Sequence, residues 1–117
     1  MQLKDKIYTI RGKQVMLDED LVRLYQVEIK RLNEQVKRNM NRFPEDFCFQ
    51  LTKEENLFLR SQNATIESGK GQHRKYLPFV FTQEGVASLS GVLTSEVAIK
   101  VNIIIMSICY NAKILAR

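Results

Sequence analysis

The chain has 117 residues, 44% hydrophobic and 26% charged, with a net charge of +5; that composition suits one soluble domain able to remove about 65% of its unfolded surface from water. Two isolated cysteines and one histidine exclude the Cys/His clusters of a structural zinc site, so Cys48 and Cys109 read as buried apolar residues. The longest apolar run, 97–109, is broken by Lys100 and Asn102 and is too short for a membrane span; with no N-terminal signal pattern, a cytoplasmic protein is expected.

Residues 6–10 and 14–17 flank Arg11-Gly12-Lys13 and predict a short hairpin with glycine at its turn. Asp18, followed by Glu19 and Asp20, is expected to cap a helix running to about Tyr25, with Leu17 and Val22 as a hydrophobic staple. After Gln26-Val27-Glu28 a second helix is predicted over 29–43. Its apolar members Ile29, Leu32, Val36, Met40 and Phe43 share one face, and its other arc collects Lys30, Arg31, Lys37, Arg38 and Arg42 among Asn33, Gln35, Asn39 and Asn41. A short helix, a tight connection and a longer cationic helix form helix-turn-helix order, with Gln26-Val27 where a glycine is usual.

The proline after Phe43 ends that helix. A strand is predicted over 47–51, with Phe47, Phe49 and Leu51 on one face. Thr52 to Glu55 is a capping box opening a helix that contains Leu57, Phe58 and Leu59. Residues 61–75, with two glycines and a basic end, read as a loop or the tip of a β-ribbon. A returning strand over 76–81 follows, then a helix capped by Thr82 and reaching about Leu93, then a last helix, capped by Thr94 or Ser95, from Glu96 to about Leu115. The expected fold is α+β: a helix-turn-helix-like helical core, short antiparallel β elements and a long C-terminal helix, in one domain over 1–117.

That last helix carries two apolar seams. Val97, Val101, Ile104, Ile105, Ile108 and Ala112 form one, and Ile99, Ile103, Met106 and Tyr110 the other. Two seams need two partners: the domain's own core for the first, and for the second, the candidate dimer or partner seam, either a second copy of the chain or a C-terminal region beyond these residues. The alternative is a central helix buried on all sides.

Catalysis is not expected. The chain has no glycine-rich phosphate loop, nucleophile motif or paired ligand motif, and His73 has no orienting carboxylate or nucleophile at a telling spacing. No cofactor or metal is implied. The charge instead points to a polyanion. Five cations against two acids lie in 28–42, and Lys70, Arg74 and Lys75 stand without an acid in 70–75, so the net charge is local. A lone charged helix face is ordinarily only solvated; here the forked amides that read base edges accompany the cations. Lys30, Arg31, Asn33 and Gln35 are the candidate base contacts, since the first turns of a recognition helix meet the bases. Lys37, Arg38 and Arg42, with Lys70, His73, Arg74 and Lys75, are the candidate phosphate contacts. The polar face carries no aromatic residue, which favours duplex over single-stranded DNA.

The run VMLDEDLVRLYQVEIKRLNEQVKRNMNRFPEDFCFQL, followed by LTKEE, LRSQ, YLPFVFTQEGVASLS and VLTSEVAIKVNIIIM, resembles the KilA-N group of phage and large DNA-virus domains, and most of all its branch named for the N-terminal domain of an open reading frame six. The resemblance runs from about Ile7 to Ile108. It implies a small α+β DNA-binding module of phage or prophage proteins in a bacterial cell, often joined to variable C-terminal domains and sometimes to antirepressor or regulatory roles. Two functions are therefore expected to compete: sequence-specific duplex binding through the 29–42 helix, and capture of another regulator through the C-terminal helix.

Overall fold

The structure, a computed structural model, describes residues 3–62 and 76–115, and side chains for 5–62 and 76–107. After a short 3-10 turn at Leu3–Lys6, strands β1 (Tyr8–Ile10) and β2 (Lys13–Leu17) form the expected hairpin, with Ile10 opposite Lys13. Arg11 and Gly12 both take positive φ, 54° and 75°, as a two-residue I′-type turn requires. The strand predicted over 47–51 is the shorter β3 (Cys48–Gln50), and that over 76–81 begins later, as β4 (Phe79–Thr82). The sheet order is β1-β2-β4-β3, antiparallel throughout.

Both faces of this sheet are buried. Tyr8, Ile10, Val15, Leu17, Phe49, Leu51 and Val80 pack on one side with Leu59, a residue of helix α3 (Lys53–Gln62). Met16, Cys48 and Phe81 point to the other. There they meet α1 (Asp18–Tyr25), α2 (Ile29–Arg38), α4 (Gln83–Leu89) and α5 (Glu96–Leu115). This is the expected α+β class. Cys48 is buried as expected, and burial pushes its thiol up to about 12. Phe47 lies half-buried outside both clusters, off the face assigned to it.

Several helix ends differ from expectation. Asp18 does not cap α1: it is the first helical residue, fully buried, and its Oδ2 accepts the Phe79 N–H at 3.1 Å. That shifts the staple register by one residue, so Met16 and Leu21 share a cluster while Leu17 faces the opposite side of the sheet. α2 stops at Arg38, not Phe43, and a 3-10 turn follows at Met40–Arg42. The cause is local: Asn39 Nδ2 donates to the Gln35 carbonyl at 2.8 Å, displacing the Asn39 backbone N–H onto Val36. Met40 consequently loses helical phase and is 60% exposed. The capping box forms as read, with Thr52 N–H to Glu55 Oε1 at 2.9 Å and Glu55 N–H to Thr52 Oγ1 at 3.1 Å. Thr82 Oγ1 accepts the Gly85 N–H at 3.2 Å, but α4 ends at Leu89 rather than near Leu93.

α5 begins under Ser95, whose Oγ accepts the Ala98 N–H. Ala98, Asn102 and Ile105 are buried, with Val101 and Met106 packed beside them. Tyr25 donates its hydroxyl proton to Asn102 Oδ1 inside this core, and that bond fixes the rotation of α5. Ile99, Ile103 and Ile104 are left 50%, 63% and 54% exposed, so the helix is not buried on all sides. Two assignments are reversed: Ile104 belongs to the outer face and Met106 to the inner. Tyr110 lies beyond the described side chains. Among the described residues no helix is long and apolar enough to cross a membrane.

Candidate nucleic-acid interface

The connection between α1 and α2 turns without glycine. Gln26 adopts the left-handed conformation, φ 58° and ψ 44°, and its N–H bonds the Val22 carbonyl; a non-glycine residue there costs roughly 1–2 kcal/mol. Val27 N–H reaches the same carbonyl at 3.1 Å. The α1 end is thus closed within two residues, and α2 starts three residues later on the same side of the sheet.

α2 is seated by few side chains. Leu32 is fully buried, Val36 packs partly against the core, and Ile29 is half-buried. Past the helix end, Phe43 is buried with its ring edge-on to Phe81, centroids 6.1 Å apart. The tight 3-10 turn brings Phe43 inward where a continued helix would have buried Met40.

Lys30, Arg31, Lys37, Arg38 and Arg42 are all exposed, and Asn33 and Gln35 are half-buried. None of the five cations takes part in an ion pair among the described residues. Other cations do. Arg11 grips Glu55 through two bonds of 2.8 and 2.9 Å while its guanidinium stacks 4.3 Å over the Phe49 ring. Lys13 stands 3.6 Å from Asp46, and Arg60 ties α3 to α1 through Glu19 at 2.7 Å. Those pairs hold elements together; the α2 cations point to solvent.

The surface is graded along the helix. In the first turns Lys30 and Arg31 share a shallow hollow of about 230 Å³ with Glu28 and Glu34. Beyond Glu34 no acid occurs before Glu45, so Lys37, Arg38 and Arg42 form an unmixed cationic end, with exposed Met40 among them. Lys70, His73, Arg74 and Lys75 lie outside the described residues. A larger cleft of about 490 Å³, lined by Gly12, Lys13, Asp46, Phe47, Thr82 and Glu84 among others, already has its Lys13–Asp46 pair and its Thr82 hydroxyl engaged. Among the described residues no group of three or more His, Cys, Asp or Glu could hold a metal ion.

The profile of the ORF6N domain matches residues 5–92, three quarters of the chain. The chain belongs to the ORF6N domain family. The ORF6N span takes in the sheet and helices α1 to α4 and stops short of α5, so the cationic surface lies inside the family's domain and the exposed isoleucines outside it. No curated protein and no solved structure matches the chain.

Two features differ from what the sequence leads one to expect, one on this surface and one in the core. Met40 at the cationic end is exposed, because the helical period that would place it in the core stops before Asn39. Asn102, read as an interruption of an apolar run, is the buried partner of Tyr25; nothing local in the sequence distinguishes a buried asparagine from an exposed one.

Proposed function

We propose that this ORF6N chain is a duplex DNA-binding module of a phage-type regulatory protein, acting in the bacterial cytoplasm as an antirepressor or transcriptional regulator and carrying out no chemistry of its own. The observation that carries the reading is the surface of α2 and the turn after it: Lys30, Arg31, Lys37 and Arg38 on a helix anchored by buried Leu32 and Arg42 in the 3-10 turn, all exposed and none neutralised by a protein carboxylate among the described residues. Such cations attract phosphates and release counterions on binding. The likeness of the sequence to KilA-N domains supports the same reading.

In this account α2 enters the major groove. Lys30, Arg31, Asn33 and Gln35 reach base edges, the charge of the first two tempered by Glu28 and Glu34, so that geometry rather than net attraction selects the sequence. Lys37, Arg38 and Arg42, with Lys70, His73, Arg74 and Lys75, hold the backbone. Selection from random duplexes at two salt concentrations tests it: a recovered motif with affinity falling steeply as salt rises is expected, and a flat salt response removes the reading.

A second reading rests on a different observation. Ile99, Ile103 and Ile104 form an exposed apolar strip on α5 that suits a second copy of the chain or a captured regulator. It is compatible with DNA binding, because the strip and the cations are on different helices, α5 and α2.

A further inference from the structure

Arg42 lies where Gly91 leaves room for it. A Cβ built on Gly91 would stand 2.7 Å from Arg42 Nη1 and 3.8 Å from its Cζ, so the guanidinium rests against the turn that follows α4. That turn closes the C-terminal end of α4, where the Gly91 N–H donates to the Ser88 carbonyl at 3.1 Å and positive charge is favoured. Gly91 is not required for backbone conformation, since among the described glycines positive φ belongs to Gly12. What its missing side chain supplies is space for Arg42.

The seat leaves Arg42 uncommitted. Arg11 and Arg60 place their guanidinium groups on Glu55 and Glu19, whereas the Arg42 guanidinium has no hydrogen bond or ion pair among the described residues. A guanidinium lying against the turn with its fork of donors free can take an anion from outside the chain. Ser90, Thr94 and Ser95 on the same turn are exposed, so a strand of nucleic acid has access to it.

We infer that Gly91 is a positioning residue for a DNA phosphate contact: the α4–α5 turn seats the Arg42 guanidinium so that a sugar–phosphate backbone passing the C-terminal end of α2 continues onto this turn. The inference rests on the duplex-binding reading above and assigns the α4–α5 turn, 49 residues along the chain from Arg42, to the same surface.

Two measurements test it. In the free wild-type protein, nitrogen-15 relaxation at Arg42 Nε is expected to show a more restricted side chain than Arg38 Nε, and Gly91→Ala, whose methyl group clashes with the end of Arg42 and otherwise makes only an ordinary contact with the Ser88 carbonyl oxygen, is expected to release it to the Arg38 level. Equal mobility of the two arginines in the wild type overturns the seat, whether or not Gly91→Ala folds. With a short random-sequence duplex titrated across salt concentrations, Arg42→Ala is expected to lower the log–log slope by about one, Gly91→Ala by the same amount, and the double variant by no more than either alone. A Gly91→Ala slope equal to wild type, or losses that add in the double variant, overturns the inference. A wild type without salt-dependent binding instead overturns the duplex reading and the phosphate role with it, while the relaxation result still reports on the seat.

Discussion

Arg31 and Arg38 are seven residues apart on one exposed helix face, yet their surroundings differ, and so should the effects of losing them. Arg31 shares its hollow with Glu28 and Glu34, whereas Arg38 lies a turn past Glu34 with no acid on its C-terminal side until Glu45, so Arg38→Ala is expected to weaken binding to all duplexes about equally and to lower the salt slope by about one, read by titration at several salt concentrations. Arg31→Ala is expected instead to relax sequence preference at a cost of about 1–3 kcal/mol on the preferred site; an equal loss on every duplex would remove Arg31 from the base contacts. In the core, Tyr25→Phe strips Asn102 of its bond, and Asn102 Nδ2 already has no partner. A loss of about 1–3 kcal/mol in urea unfolding is expected, largely recovered when Asn102→Leu is added. A neutral Tyr25→Phe would mean that the pair contributes nothing.

At the level of elements, the capping box of α3 does more than start a helix. Glu55 Oε1 accepts the Thr52 N–H while both carboxylate oxygens hold Arg11 from the hairpin turn, so one side chain joins a helix N-terminus to the β1–β2 hairpin. The Arg11 hydrogen bonds, with help from Thr52, hold the Glu55 carboxyl down at about 2, below the ordinary 4.5. A depressed folded-state value means that the ionised form favours folding. This contribution is complete above about pH 4.5 and disappears as pH falls towards 2. Chemical unfolding of wild type and Glu55→Gln should therefore differ at neutral pH and converge near pH 2; a gap that persists at pH 2 would show that packing, not charge, separates them. α2 illustrates the opposite arrangement, a helix whose first turn has no acid and whose last turn has two cations, matched to its own dipole at one end only.

On the scale of the whole molecule, charge and grease are sorted onto different helices: cations on α2 and the turn after it, isoleucines on α5, with α1 packed against both and bonded to α5 through Tyr25. Ile103→Asp is expected to reduce any self-association seen by sedimentation while leaving the unfolding midpoint and the duplex affinity per protomer near wild type, because Ile103 is 63% exposed and outside the described core. Unchanged mass in solution would leave the α5 strip to a different partner. Loss of folding would mean that the strip is core.

The parts legible in the sequence were those decided over a few residues. A hairpin turn with glycine at Gly12, the reciprocal Thr52–Glu55 bonds, the Thr82 cap and the cationic arc of α2 each depend on neighbours within one turn of chain, and each could be read from residue type and spacing. The tertiary structure alone decided what depends on a distant partner. Asp18 left its cap because the Phe79 N–H, 61 residues away, needed an acceptor, and α5 took the rotation that lets Asn102 meet Tyr25, 77 residues away, which moved Ile104 out and Met106 in. Periodicity ranks the faces of a helix by apolarity. When two faces are equally apolar, only the cost of leaving a buried polar group unpaired selects between them, and that cost exists only once the chain has folded.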